Sequence, residues 1–285
     1  MKRVLRLLGM TVAALALVAV VAALVVYAWS ESMLRRHSPM RAAPVTVPTD
    51  AASIAEGRRL SLVHGCVGCH GAGVAGNELL DEPAIATIVA PNLTTIIRTY
   101  GDADLVTAIR HGVRADGRTM IVMPSQAFAP LSDADMGRLV GYLRSLPPVP
   151  GPGARAEIGP IGRIGLVLAK YKTSLQLVED ASAPPEATPG SATLGRYLAR
   201  TSCAQCHGAD LRGASHPEGV APDLRIVAAY STENFATLMR TGMGIDGRKL
   251  GAMTPWAASY FPSFTAEEVD GLYAYLHTLP PAVSK

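Results

Sequence analysis

Cys66-Val67-Gly68-Cys69-His70 and Cys203-Ala204-Gln205-Cys206-His207 are two copies of one pattern, and together they use every cysteine in the 285-residue chain. Three chemistries compete for such pairs: a redox dithiol, half of a zinc site, and thioether attachment of haem. A redox dithiol gives no role to a histidine directly after the second cysteine, twice. A zinc site made from all four thiols would join pairs 137 residues apart and leave both histidines idle, whereas zinc ligands cluster at short spacings. Haem attachment uses every member: the two thiols add to the vinyl groups, and the adjacent histidine, held under the ring, ligates iron from the proximal side. The pattern therefore predicts two covalently bound haem c groups, one on Cys66 and Cys69 and one on Cys203 and Cys206, with His70 and His207 as axial iron ligands.

The repeat extends beyond the motifs. The offset is 137 at the cysteines, 131 where Ala90-Pro91-Asn92-Leu93 meets Ala221-Pro222-Asp223-Leu224, and 130 where Asp116-Gly117-Arg118 meets Asp246-Gly247-Arg248. Within that last ungapped block Met123 falls on Met253, while Met120 falls on Leu250 and Met243 on Val113. An electron-transfer haem commonly carries methionine opposite histidine, so Met123 and Met253 are the expected distal ligands. The competing reading, core filler, is the usual fate of methionine and suits Met136, which shares an i, i+3, i+4, i+7 stripe with Leu139, Val140 and Leu143. His64, His111, His216 and His277 have no counterpart in the other repeat, so surface or hydrogen-bonding roles are their default, with a histidine distal ligand as the alternative.

Each repeat closes on a helix that opens with a capping-box pattern, Ser132-Asp133-Ala134-Asp135 or Thr265-Ala266-Glu267-Glu268, and stops at Pro147 or Pro280. A short helical stretch with Gly57-Arg58 or Gly195-Arg196 precedes each cysteine motif. No segment alternates as a half-buried strand does, and the expected fold is all-α. Each half resembles a class I cytochrome c domain, over residues 53–148 and 191–283, in its glycine-bearing first helix, Cys-x-x-Cys-His, Pro-x-Leu segment, middle helix, methionine loop and last helix with Tyr142 or Tyr275. The resemblance implies that the first and last helices cross near their Gly and Tyr. It also implies that the carbonyl of Pro91 or Pro222 accepts a hydrogen bond from the proximal histidine, and that the haem domains face the periplasm. One departure is Thr254, which stands after Met253 where Pro124 follows Met123.

Outside the repeats, Leu7 to Ser30 carries no charged side chain and follows Lys2, Arg3 and Arg6. That run is long enough to cross a bilayer, which takes about 20 residues. A cleaved signal peptide competes, but its apolar region is ordinarily shorter and ends in small residues, whereas Tyr27 and Trp29 suit a membrane interface. The expected organisation is a transmembrane anchor at 1–30, a Pro-containing periplasmic stalk at 31–52, two cytochrome domains, and a linker at 149–190. That linker holds an apolar patch from Ile161 to Leu168, read as a short packing helix or a docking surface. Six Lys/Arg against two Asp/Glu in residues 1–50 leave a surplus of four that the rest of the chain lowers by one to the net charge of +3, and both repeats are close to neutral. Nothing there makes the basic face that nucleic acid requires.

The leading expectation is a single-pass inner-membrane cytochrome that relays single electrons from a dehydrogenase or quinol-oxidising partner to a soluble cytochrome or an oxidase. The overall sequence is similar to cytochrome subunits of membrane-bound dehydrogenases. The alternatives are a dihaem redox enzyme of the peroxidase or thiosulfate-oxidising type, which needs an open iron, and an anchored dihaem subunit of a cytochrome oxidase.

Overall fold

The N-terminal apolar run forms one helix, α1 (Lys2–Leu34), whose side chains are almost all solvent-facing in this computed structural model. The structure describes residues 2–181, 190–216 and 219–280. After α1 come α2 (Ala51–Val63), α3 (Cys66–His70), α4 (Leu93–Ile96), α5 (Asp102–His111), α6 (Ser125–Phe128), α7 (Asp133–Ser145), α8 (Pro160–Val167) and α9 (Ser174–Ala181). The second repeat supplies α10 (Ser191–Leu198), α11 (Ala204–His207), α12 (Thr232–Thr241), α13 (Met253–Tyr260) and α14 (Ala266–His277). The fold is mostly helical, as its periodicities predict.

In each repeat the first helix packs across the last, α2 on α7 and α10 on α14. The crossing needs glycine. A Cβ on Gly57 would lie 2.6 Å from the carbonyl carbon of Arg138 and 2.9 Å from Tyr142 Cβ, and one on Gly195 would lie 2.8 Å from Tyr275 Cβ. The stripes that define α7 and α14 face inward: Met136, Leu139, Val140 and Leu143 are buried, as are Leu272 and Leu276. The middle helices also correspond. Each of α5 and α12 ends on a left-handed glycine, Gly112 or Gly242, followed by a bridge, Val113 to Thr119 or Met243 to Lys249.

The two capping boxes diverge. At α14, Thr265 Oγ1 accepts from Glu268 N at 3.2 Å and Glu268 Oε2 accepts from Thr265 N at 2.8 Å, which closes the box. At α7, Ser132 Oγ accepts from Asp135 N at 3.1 Å, but the Asp135 carboxylate turns away to Tyr197 and Arg138.

Three features differ from the sequence expectation. Short strands are present: β1 (Asn77–Glu82), β2 (Ala86–Ala90) and β3 (Arg155–Ile158) form an antiparallel sheet, and β4 (Ala214–His216) pairs with β5 (Gly219–Ala221). They escaped period-2 reading because β2 is buried along nearly its whole length and so does not alternate, while its partner β3 lies some 65 residues on in the expected linker. Most of residues 149–181 accordingly belong to the first domain. Asn92 Nδ2 donates to Val149 O at 2.7 Å, Asn92 N donates to Pro152 O at 3.2 Å, and α9 packs on α5 and α6. The remainder of the linker, 182–189, and residues 281–283 lie outside the described residues. Finally, the expected stalk is no free tether. Thr119 N donates to Arg36 O at 3.1 Å, Ser38 N to Gly117 O at 2.9 Å, and Ala42 N to Thr107 Oγ1 at 3.0 Å. Its prolines keep it extended, and the glycines of α7 let it lie close: a Cβ on Gly141 would meet Pro48 O at 2.5 Å.

Candidate haem sites

The motif Cys66–His70 forms α3, entered through left-handed Gly65 and left through left-handed Gly71. His70 Nδ1 lies 2.9 Å from Pro91 O, and His207 Nδ1 lies 2.8 Å from Pro222 O. A carbonyl can only accept, so each Nδ1 carries the proton and each Nε2 keeps its lone pair for a metal. Burial pushes the His70 pKa down, against the opposing pull of the Pro91 carbonyl, and keeps that imidazole neutral as ligation requires. Both proline carbonyls sit just before a side-chain-capped turn, Asn92 to Thr94 N or Asp223 to Arg225 N, which fixes their direction.

A cavity of about 660 Å³ opens over the first motif. Cys66, Cys69, His70 and Pro91 line it together with Met120 and Met123, and Ile97, Leu105, Phe128 and Leu131 make its walls apolar. The cavity has the size and greasiness of a cofactor pocket. A further sign that it takes a group is His64, fully buried and lining it, whose Nε2 has no hydrogen-bond partner among the described residues. The thiols suit covalent attachment better than thiolate chemistry. Burial, and then the neighbouring Cys69, pushes Cys66 up to about 12, and burial followed by Cys206 does the same to Cys203. These residues fit a haem bound through thioethers.

The methionine segments are pinned by polar contacts. Met123 O accepts from Ser174 Oγ at 2.7 Å and from Ser125 N at 2.9 Å. In the second repeat Thr254 replaces proline, and its hydroxyl donates to Gly242 O at 2.7 Å while accepting from Leu250 N at 2.8 Å. The departure from Met-Pro thus has a structural substitute. Met253 itself opens α13. Met120 lines the first cavity beside Met123, a proximity that repeat matching had passed over.

The two motifs meet across a pseudo-symmetric interface. Arg59 and Tyr197 hold equivalent places in α2 and α10, and each reaches the acid three residues into the other domain's last helix. Arg59 pairs with Glu268 at 2.7 Å, and Tyr197 Oη donates to Asp135 Oδ2 at 2.7 Å. His64 Nδ1 lies 3.1 Å from Ser202 Oγ, and Gln205 Nε2 donates to His64 O at 3.0 Å. Trp256 of α13 lies over the first motif, where a Cβ on Gly65 would stand 2.6 Å from its Cζ2 and one on Gly68 2.5 Å from its Cζ3. The Cys69 thiol is raised by burial and then by the nearby Cys206, so the attachment loops are neighbours. Sequence reading missed this interface. Repeat alignment does match Arg59 with Tyr197 and Asp135 with Glu268, but it carries no sign that the matched residues touch across domains.

The Cytochrome c family model matches residues 54–147 and 192–280, nearly two thirds of the chain. The chain belongs to the cytochrome c family. Haem c is therefore the cofactor of this cytochrome, and its helical halves are the two matched segments. The cytochrome c subunit of a quinone-dependent alcohol dehydrogenase from Gluconacetobacter polyoxogenes is 26% identical over 280 residues, covering 83% of this chain and 58% of that protein. The fructose dehydrogenase cytochrome subunit of Gluconobacter japonicus is 24% identical over 87% of this chain and 57% of that protein. One of the subunits of nicotinate dehydrogenase from Pseudomonas putida is 34% identical over 131 residues, which cover 41% of this chain and 11% of that protein. The chain spans little more than half the length of the first two curated relatives.

Proposed function

We propose that this cytochrome is the electron-relay subunit of a membrane-bound dehydrogenase, with two haem c groups and no substrate chemistry of its own. One haem is held by Cys66, Cys69, His70 and Met123, and the other by Cys203, Cys206, His207 and Met253. The observation that carries the reading is the duplicated histidine clamp, His70 Nδ1 to Pro91 O and His207 Nδ1 to Pro222 O, which leaves two Nε2 lone pairs oriented for iron. Bound haem supplies one reversible one-electron couple at each site.

The protein's own residues do the rest. Apolar walls formed by Ile97, Leu105 and Phe128 exclude water from the first site. Ser174 and Thr254 fix the backbone around Met123 and Met253, which close the distal positions against substrate. Arg59, Tyr197, His64 and Trp256 dock the halves, which would hold the two haems on neighbouring attachment loops. In this reading α1, free of charged side chains from Leu7 to Ser30, is a retained anchor that holds the haem domains on the periplasmic side of the inner membrane.

The relay is tested by solubilising membranes in mild detergent, purifying the full chain, and adding a primary alcohol, fructose, gluconate or nicotinate in turn. Co-purification of a dehydrogenase subunit, with substrate-driven reduction of the haem band by one of these compounds, is expected. A chain that purifies alone and turns over peroxide or thiosulfate would overturn the reading.

A further inference from the structure

Taking α1 as a retained span, we infer that α8 is a second membrane element, an interfacial helix that rests in the headgroup region beside the anchor and lays the first domain on the lipid surface. The helix has two unlike sides. Gly162, Gly165 and Leu166 are buried against the domain, where a Cβ on Gly162 would lie 2.9 Å from Ile158 Cγ2 and one on Gly165 2.5 Å from the Tyr171 ring. Ile161, Ile164 and Leu168 share the opposite side at i, i+3, i+7, with 57%, 47% and 62% of their surface exposed. Tyr171 follows at 52% exposed. Three large apolar side chains on one short helix and its C-cap, Ile161, Ile164 and Leu168, form a patch that calls for a partner.

The occupant is fixed by what α8 is tied to. Arg163 Nη1 donates to Ser30 Oγ at 3.0 Å and pairs with Glu31 Oε2 at 2.9 Å, and its guanidinium lies 4.4 Å from the centre of the Tyr27 ring. These are the residues at which the charge-free run of α1 ends. Tyr27 and Trp29 are themselves 54% and 57% exposed, the aromatic pair expected at the boundary of a bilayer. Arg163 therefore holds α8 at headgroup depth, and the exposed isoleucines continue the apolar surface of the span. Lys170, exposed just past the helix, can extend its ammonium to lipid phosphates while its stem stays among apolar groups. Interfacial helices of this kind sink about 5–10 Å into the headgroup and acyl boundary. The packed segment 35–50 agrees with this placement, since it leaves the first domain no free tether on which to stand off the membrane.

The test uses the full haem-loaded chain in vesicles of phosphatidylethanolamine and phosphatidylglycerol. Nitroxide labels are placed in separate Val18→Cys, Ile164→Cys and Asp270→Cys variants, all at exposed positions. Collision with oxygen and with a water-soluble nickel chelate is read by paramagnetic resonance. The inference expects the oxygen-to-chelate ratio at Ile164 to shift toward that at Val18 and away from that at Asp270. If Val18 reports lipid and Ile164 reports water, α8 is not a membrane element and the anchor stands. If Val18 also reports water, or the mature protein lacks it by mass, the anchor reading fails and this inference with it.

Discussion

Replacing Gly68 with alanine isolates the contact that docks the two cytochrome c segments. Gly68 lies inside α3 and, unlike Gly65 and Gly71, has no left-handed backbone to preserve. Alanine there gains up to about 1 kcal/mol from helix propensity, so the backbone alone predicts a neutral or stabilised protein. Against this stands Trp256, whose Cζ3 would lie 2.5 Å from the new Cβ. The ring must retreat by roughly 1 Å to reach van der Waals separation, and overpacking of that order costs about 1–3 kcal/mol. The net expectation for Gly68→Ala is a loss of about 0–2 kcal/mol. In a Trp256→Ala background the clash is gone, and the same change becomes neutral or favourable. The four proteins thus form a cycle with a coupling energy of about 1–3 kcal/mol. It is measured by guanidinium unfolding of the holoprotein and its variants. Strict additivity, or a Gly68→Ala protein more stable than the parent, would refute the docking of Trp256 on the first haem loop.

Other residues give shorter tests. Tyr197→Phe strips a buried hydroxyl from Ser132 N and from Asp135 Oδ2, and unfolding should show a loss of about 1–3 kcal/mol. His64 is held neutral chiefly by burial, which pushes its pKa from 6.5 down to about 4. The unfolded chain therefore binds a proton that the folded one refuses, and stability falls as pH drops from about 6.5 toward 4. The full effect is on the order of 3 kcal/mol, and His64→Asn should flatten that part of the stability profile. Met123→Ala should open the first iron and lower its potential, whereas Met120→Ala should leave the coordination unchanged despite lining the same cavity. Spectroelectrochemistry distinguishes the two.

Much of this molecule was legible in the sequence because its signals are local. Cys-x-x-Cys-His is a chemical statement in five residues. Gly57 with Tyr142, and Gly195 with Tyr275, sit at the crossings that the family resemblance implied, and the Pro91 and Pro222 carbonyls meet His70 and His207 as expected. What stayed hidden depends on long-range pairing. Strand β3 is a strand only because β2 offers it an edge: Arg155-Ala156-Glu157-Ile158 does alternate polar and apolar, but four residues inside a Pro- and Gly-rich stretch are too short a pattern to announce a strand. Asp135 reads as a capping-box acid, yet its carboxylate serves Tyr197 because the second domain brings a buried hydroxyl there. His64 and Trp256 are ordinary residues in one dimension, and only docking of the halves gives one a serine partner and the other a seat on two glycines.

The most direct test of the account is low-temperature paramagnetic resonance of the oxidised full-length holoprotein, taken with its haem content per chain. The account predicts two haems, both low-spin, with histidine and methionine as axial ligands. A single haem, or a high-spin signal that shifts when a small ligand is added, would contradict it.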